Sequence, residues 1–161
     1  DVSQAGESFL VQTERTITRM GLEQSATQMV PAFATVVVAR GATTGRMVIF
    51  GCDMAMNQTC YALVSTLGTS YTLYCQLRVE MDGLVHAAHG SVFDTITTST
   101  FAASKVVLPD SRLLTAFEDA VRPLFLRVLS NTNESHTLAA LRDTLLPKLL
   151  SGELRIPEAA L

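Results

Sequence analysis

The 161-residue chain has no tryptophan, only 6% aromatic residues and only 17% charged residues, against ~25% charged in an ordinary soluble domain. Positive charge is not in excess: Lys+Arg 12 against Asp+Glu 15 leaves −3 with the histidines neutral. That balance excludes a polybasic arm and makes any nucleic-acid contact depend on placed side chains. No apolar run is long enough for a bilayer. The longest uncharged stretch, 54–77, is broken by Asn57, Gln58, Gly68 and many hydroxyls, short of the ~20 apolar residues a membrane helix needs. Cysteine is scarce, with Cys52, Cys60 and Cys75 odd in number and without CxxC spacing, and no charged n-region and apolar h-region open the chain. Reduced thiols in a cytoplasmic protein are the expectation. P-loop, GxSxG, HExxH, paired-carboxylate and dinucleotide motifs are all missing, which speaks against an enzyme.

What is present is enough for a core. Hydrophobic residues make up 48% of the chain, and the length suits one domain of ~150 residues with a small appendage. Uncharged polar groups, 19 threonines among them, or a partner, must cover much of the surface. Up to Pro109 the apolar, β-branched runs 35–39, 47–50, 60–64 and 106–108 are punctuated by Gly, Thr and Pro, a pattern of strands and turns. One helix interrupts them. Leu73, Leu77, Met81, Leu84 and Ala88 share a face, Gly83 weakens it slightly, and Gly90 suits the residue beyond its C-cap.

Beyond Pro109 the pattern becomes helical. Asp110 suits the N-cap, and Leu114, Phe117, Val121, Leu124 and Val128 follow at alternating spacings of three and four, the rule for a narrow buried seam. Pro123 should kink the helix, and Asn131 with Glu134 has capping-box form, so a second helix or a bend is expected there. Leu138, Leu141, Leu145 and Leu149 continue the apolar face until Pro147 and Gly152 close it near Ser151. A helix or helix pair of about forty residues at ~1.5 Å each would reach ~60 Å, more than a small domain can cover. The seam is therefore expected to pack on another chain, or on a missing part of this one, as a coiled coil or bundle. The alternative is a helical hairpin folded on its own domain. The expected fold class is α+β: a small domain at 1–109, a long kinked or broken helix at 110–154 and a tail at 155–161.

Several segments carry usable chemistry. Ala39-Arg40-Gly41-Ala42-Thr43-Thr44-Gly45-Arg46 joins two expected strands, with glycines for positive φ, two hydroxyls and two guanidinium forks suited to phosphate or guanine edges. An ordinary hairpin turn with surface arginines has the same pattern. Asn57 and Gln58 are adjacent carboxamides able to read adenine or to cap turns. His86 and His89 stand at i and i+3 without a carboxylate or thiolate at ligand spacing, a poor metal pattern. The hydroxyls of 95–100 suit phosphates as well as helix caps.

In this order, Thr13-Glu14-Arg15-Thr16-Ile17-Thr18, Ala39-Arg40-Gly41 with Gly45, Met54-Ala55-Met56-Asn57-Gln58-Thr59-Cys60-Tyr61 and Ala88-His89-Gly90-Ser91-Val92-Phe93-Asp94-Thr95-Ile96 resemble segments of a target recognition domain. Leu138-Ala139-Ala140-Leu141-Arg142-Asp143-Thr144-Leu145-Leu146-Pro147-Lys148-Leu149-Leu150-Ser151-Gly152-Glu153-Leu154 resembles the end of a conserved helical spacer. Over nearly its whole length the chain thus resembles the DNA specificity subunit of type I restriction-modification systems.

The resemblance implies a non-catalytic reader of double-stranded DNA, one recognition domain taking half of a bipartite site. Its helices would set the spacing, dock modification (methyltransferase) subunits and meet a second specificity half or a second copy of the chain. Restriction subunits join for cleavage. S-adenosylmethionine and ATP/Mg belong to the partner subunits, and no cofactor or metal is implied for this chain. The family's recognition domain begins upstream of the equivalent of Asp1, so part of the reading surface is expected to be missing.

Carried onto matching positions, the resemblance places Arg40, Thr43, Thr44 and Arg46 closest to DNA, followed by Arg15, Arg19, Asn57, Gln58, His89, Ser91 and Thr95. It places Leu114, Phe117, Val121, Leu124, Val128, Leu138, Leu141, Leu145 and Leu149 on the partner-binding helix. From residue 13 to 50, Arg15, Arg19, Arg40 and Arg46 outweigh Glu14 and Glu23 by two charges. Two other readings compete: a helical oligomerisation module with a remnant α+β part, and a small enzyme using Cys60, His89 or the glycine-bearing loop.

Overall fold

A computed structural model describes residues 2, 8–89 and 95–155 of the chain. Gly90 and Ser91 lie outside the described residues, as do the side chains of Leu84, His86, Ala88 and His89. The elements are β1 (Phe9–Leu10), α1 (Arg19–Glu23), β2 (Met29–Val30), β3 (Thr35–Val38), β4 (Met47–Phe50), β5 (Met54–Ala55), β6 (Cys60–Leu63), α2 (Ser70–His89), α3 (Thr98–Ala103) and α4 (Ser111–Leu150). The fold is α+β with one long C-terminal helix.

The β-branched runs 35–38, 47–50 and 60–63 become the middle and one edge of a four-stranded sheet ordered β1-β4-β3-β6. β3 pairs antiparallel with both β4 and β6, while β1 runs parallel to β4. Alternate side chains enter two cores. Val37, Ala39, Met47 and Ile49 face the helices and meet Tyr71, Tyr74, Leu77 and Met81 of α2. Val36, Val38, Val48 and Phe50 face the other way, under Val2, Val30, Met54 and Met56. A sheet covered on both faces needs apolar residues at every position, which is why these strands lack an alternating pattern. A small antiparallel pair, β2 with β5, belongs to the second layer.

α2 forms where its apolar face was legible, with Leu77 and Met81 buried. α4 begins as expected, the Asp110 carboxylate accepting from Leu113 N at 2.8 Å. Its course differs from the expectation in two ways. One helix of 40 residues runs through Pro123, Asn131 and Pro147, so of the two alternatives at Asn131 the chain takes the single long helix and no second helix begins there. Each proline removes one intrahelical bond, and the other bonds of the surrounding turns carry the helix across.

The face that docks is also shifted. Leu114 is buried, and Val121, Phe125 and Leu129 pack on the core, while Leu124 is 66% exposed and Phe117 and Val128 are exposed too. Leu114 and Val121, assigned to a partner seam, are thus occupied within the domain. Aromatic packing selects the register: Phe125 stacks on Tyr71 with centroids 4.8 Å apart and meets Tyr74 and Phe9 edge-on. Gly51 permits the approach, since a Cβ there would stand 2.9 Å from Leu129 Cδ1 and 2.7 Å from Val11 Cγ1. Residues of α4 after Thr132 are not buried, and a 2.7 Å hydrogen bond between Gln12 Nε2 and His136 Nδ1 ties the helix to the strand layer near that point.

A polar contact fixes the two long helices. Glu118, buried, accepts from Thr72 N and Thr72 Oγ1, both at 2.8 Å, and from Tyr71 N at 3.5 Å. These are donors of the first turn of α2, so a carboxylate from α4 caps α2 where the helix dipole favours negative charge. Arg122 Nη2 lies 3.3 Å from Glu118 and its guanidinium covers the Tyr71 ring at 5.7 Å. Burial pushes the Tyr71 phenol above its ordinary range, Arg122 opposing and Glu118 adding.

The run 106–108 is not a strand. It crosses the surface as an irregular connection with Val107 87% exposed, held where Gln76 Nε2 donates to Val107 O at 3.3 Å. The hydroxyl-rich stretch before it forms α3, capped by Thr97 and Thr100 in a reciprocal box. Its threonines follow the capping alternative.

Candidate nucleic-acid interface

The end of the sheet where β3 turns into β4 is closed by the 39–46 loop. Val38 and Arg46 remain paired across its base, Val38 N donating to Arg46 O at 2.8 Å and Gly45 N to Val38 O at 2.9 Å. The turn is tightened by Thr44, whose N and Oγ1 both donate to Gly41 O, at 3.1 and 2.7 Å. Gly41 and Gly45 hold φ of 96° and 88°, the left-handed region that favours glycine. Gly45 also lies against α2: a side chain there would run into Val85. The loop therefore has a defined shape, with Arg40 and Arg46 exposed and Thr43 and Thr44 half-buried.

Ala39 is the junction that gathers the neighbouring segments. Its N–H donates to Thr59 O at 2.8 Å, and its carbonyl accepts from Ile96 N at 3.0 Å. The first bond brings Asn57 and Gln58 beside Arg40; the second brings Thr95. Thr59 was not singled out in the sequence, yet its carbonyl makes this link, and the signal was the Asn-x-Thr turn. Asn57 Oδ1 accepts from Thr59 N at 3.1 Å and Thr59 Oγ1 at 2.7 Å, an Asx turn.

Arg15 and Arg19 stand elsewhere. β1 runs parallel to β4, so the chain after Leu10 leaves at the opposite end of the sheet. There the 11–19 segment borders a cleft of about 750 Å³ floored by Leu10, Phe50 and Met54. Asn57 and Gln58 line the same cleft and so lie between the two arginine-bearing regions. Arg19 is paired with Glu23 at 2.9 Å, whereas the Arg15 side chain makes no hydrogen bond or ion pair among the described residues.

Two of the three thiols are held in the neutral form. Burial holds Cys60 and Cys75 above the ordinary thiol range, the Thr59 hydroxyl opposing at Cys60 and the Glu118 charge adding at Cys75. An activated thiolate needs the reverse shift. Among the described residues, no group of three or more His, Cys, Asp or Glu side chains could hold a metal ion, and no helix is long and apolar enough to cross a membrane.

Two curated proteins match this sequence. The type I restriction enzyme MjaIX specificity subunit of Methanocaldococcus jannaschii is 33% identical over 88 residues, 55% of this chain. The type I restriction enzyme HindI specificity subunit of Haemophilus influenzae is 35% identical over 68 residues, 42% of this chain. The chain is akin to type I specificity subunits. It spans 20% and 15% of those two relatives' lengths, and no family model matches it. In this chain Arg40, Thr43, Thr44 and Arg46 share the loop at one sheet end, Ala39 ties the segments that carry Gln58 and Thr95 to that end, Arg15 and Arg19 line the cleft together with Asn57 and Gln58, and the His89 side chain and Ser91 lie outside the described residues.

Proposed function

We propose that this chain is a non-catalytic DNA reader of a type I restriction-modification complex. In this reading residues 1–109 form the target recognition domain for one half of a bipartite site, 110–154 form the helical spacer and 155–161 the tail. The observation that carries it is the joining at one sheet end of the segments that bear Arg40, Arg46, Gln58 and Thr95, in a chain akin to specificity subunits. The +2 balance around the arginines suits a modest electrostatic contribution, ~0.9 in salt slope per neutralised phosphate, with further affinity from the assembled complex. The spacer contributes Phe117, Leu124, Val128, Leu138, Leu141 and Leu145, all exposed, and half-buried Leu149 to modification subunits or a second specificity half. Restriction subunits complete the assembly in the cytoplasm, and S-adenosylmethionine and ATP/Mg act on the partners.

The test is co-purification with a cognate modification subunit, followed by methylation footprinting on random-sequence DNA with S-adenosylmethionine. Two short blocks at fixed spacing are expected. Replacing Arg40 and Arg46 together by Ala should weaken DNA binding by the complex, and unchanged affinity across a salt titration would remove them from the interface. The exposed leucines of α4 favour a second reading, a helical oligomerisation module. Complex formation without any sequence preference would support it, and failure to form the complex would count against the specificity-subunit reading altogether.

A further inference from the structure

We propose that Gln58 and Arg40 form a two-residue reading head, Gln58 recognising an adenine edge in the major groove and Arg40 holding a nearby backbone phosphate. The inference rests on the DNA-reading function proposed above and assigns that surface a chemistry.

The residues flank one hydrogen bond. Ala39 N donates to Thr59 O at 2.8 Å, one step beyond the β3–β6 ladder, whose last register pair is Val38 with Cys60. Arg40 and Gln58 are the next residues outward on either side. A hydrogen-bonded antiparallel pair sets Cα atoms ~5.5 Å apart and each further residue adds at most ~3.8 Å, so their Cα atoms lie within about 13 Å. At ~3.4 Å per base step that is about four steps, so both can serve one half-site. Both are exposed, and neither side chain has a hydrogen bond or ion pair among the described residues. The ladder supports them from below, which limits the conformational freedom lost on binding.

The choice of Gln58 over Asn57 follows from hydrogen-bond inventory. Bidentate reading of adenine needs the amide oxygen for N6–H and the amide nitrogen for N7. Asn57 Oδ1 already accepts two bonds from Thr59, using both of its lone pairs. Gln58, at the apex of that turn, keeps both groups available. Arg40 is assigned to phosphate because the following residue, Gly41, is exposed and a Cβ there would meet nothing within 4 Å, leaving a backbone strand room to lie alongside.

The experiment uses the chain assembled with its modification subunit, with methylation footprinting on random-sequence DNA and a salt titration. Gln58→Ala should relax one adenine column in this half-site, lowering its discrimination about 5- to 100-fold and leaving the other columns unchanged. Arg40→Ala should keep every column, weaken all sequences alike and lower the salt slope by ~0.9. Phosphate-ethylation interference lost in Arg40→Ala should map within about four steps of the relaxed column. Because both side chains are exposed, melting temperatures should match the wild type. A split logo that Gln58→Ala leaves intact overturns the inference while the DNA-reading function stands. Weaker co-purification with an unchanged logo would make this a protein-docking face and also overturn it. A wild-type complex with no logo would defeat the function and the inference together.

Discussion

Removing the Glu118 carboxylate should loosen the junction between the two long helices. Glu118→Ala deletes the acceptor for Thr72 N, Thr72 Oγ1 and Tyr71 N, in a site where Glu118 and Thr72 are 2% and 4% exposed. Each buried donor left without a partner costs ~1–3 kcal/mol, and the Thr72 hydroxyl recovers part of this by rotating. The Arg122 pair adds little, because Arg122 is 47% exposed and screened pairs contribute ~0–1 kcal/mol. The expected loss is about 2–4 kcal/mol, a fall in Tm of about 5–15 °C for a chain of this size. Glu118→Gln retains one acceptor oxygen and should lose about half as much. Arg122→Ala should lose ~0.5–1 kcal/mol. Urea unfolding at unchanged m-value measures these terms, and amide exchange at residues 71 and 72 localises them. A Glu118→Ala protein less than ~1 kcal/mol below wild type, with protection at 71 and 72 intact, would refute the capping role.

Thr35 Oγ1 is fully buried without a hydrogen-bond partner among the described residues, so Thr35→Val should be neutral or stabilise by up to about 1 kcal/mol in urea unfolding; a loss above that would mean the hydroxyl is satisfied. Gly45→Ala should cost ~2 kcal/mol and Gly41→Ala ~1 kcal/mol: both need left-handed backbone, but only Gly45 lies against Val85, and equal costs would remove Val85 from the account. Cys60 and Cys75 are raised by burial. The neutral thiol is therefore favoured in the fold; its stabilisation is complete below the unfolded thiol value, ~8.5, and is lost as pH rises through the folded values. Stability should decline above about pH 8.5, and substituting both cysteines by Ala should flatten that decline. Iodoacetamide should modify exposed Cys52 before the other two, as peptide mapping would show.

The strands at 35–38, 47–50 and 60–63 and the helix from 70 were legible because their patterns report local constraints. β-branched runs between Gly and Thr specify strands, and four- and three-residue spacing specifies a helix face. Asp110 was legible as a cap for the same reason, and so was the need for glycine in the 39–46 loop. β1, β2 and β5 were not, since two residues carry no period. The 106–108 run had strand composition but found no neighbour, and a strand exists only through its pairing.

The sequence alone determined the α+β class, the kinship with specificity subunits and the arginine, glycine and carboxamide chemistry of the candidate site. Tertiary structure decided which face of α4 is buried and which residues share a surface. Glu118 and Thr132 sit in the buried stripe, yet polar residues break the apolar pattern from which a stripe is read; only the first turn of α2 gives the Glu118 carboxylate its partners. Phe125 takes the place expected of Leu124 because Tyr71, 54 positions earlier, offers a ring to stack on. Likewise Arg40, Gln58 and Thr95 become neighbours through two backbone bonds at Ala39. Such bonds join residues far apart in the chain, and no local spacing encodes them.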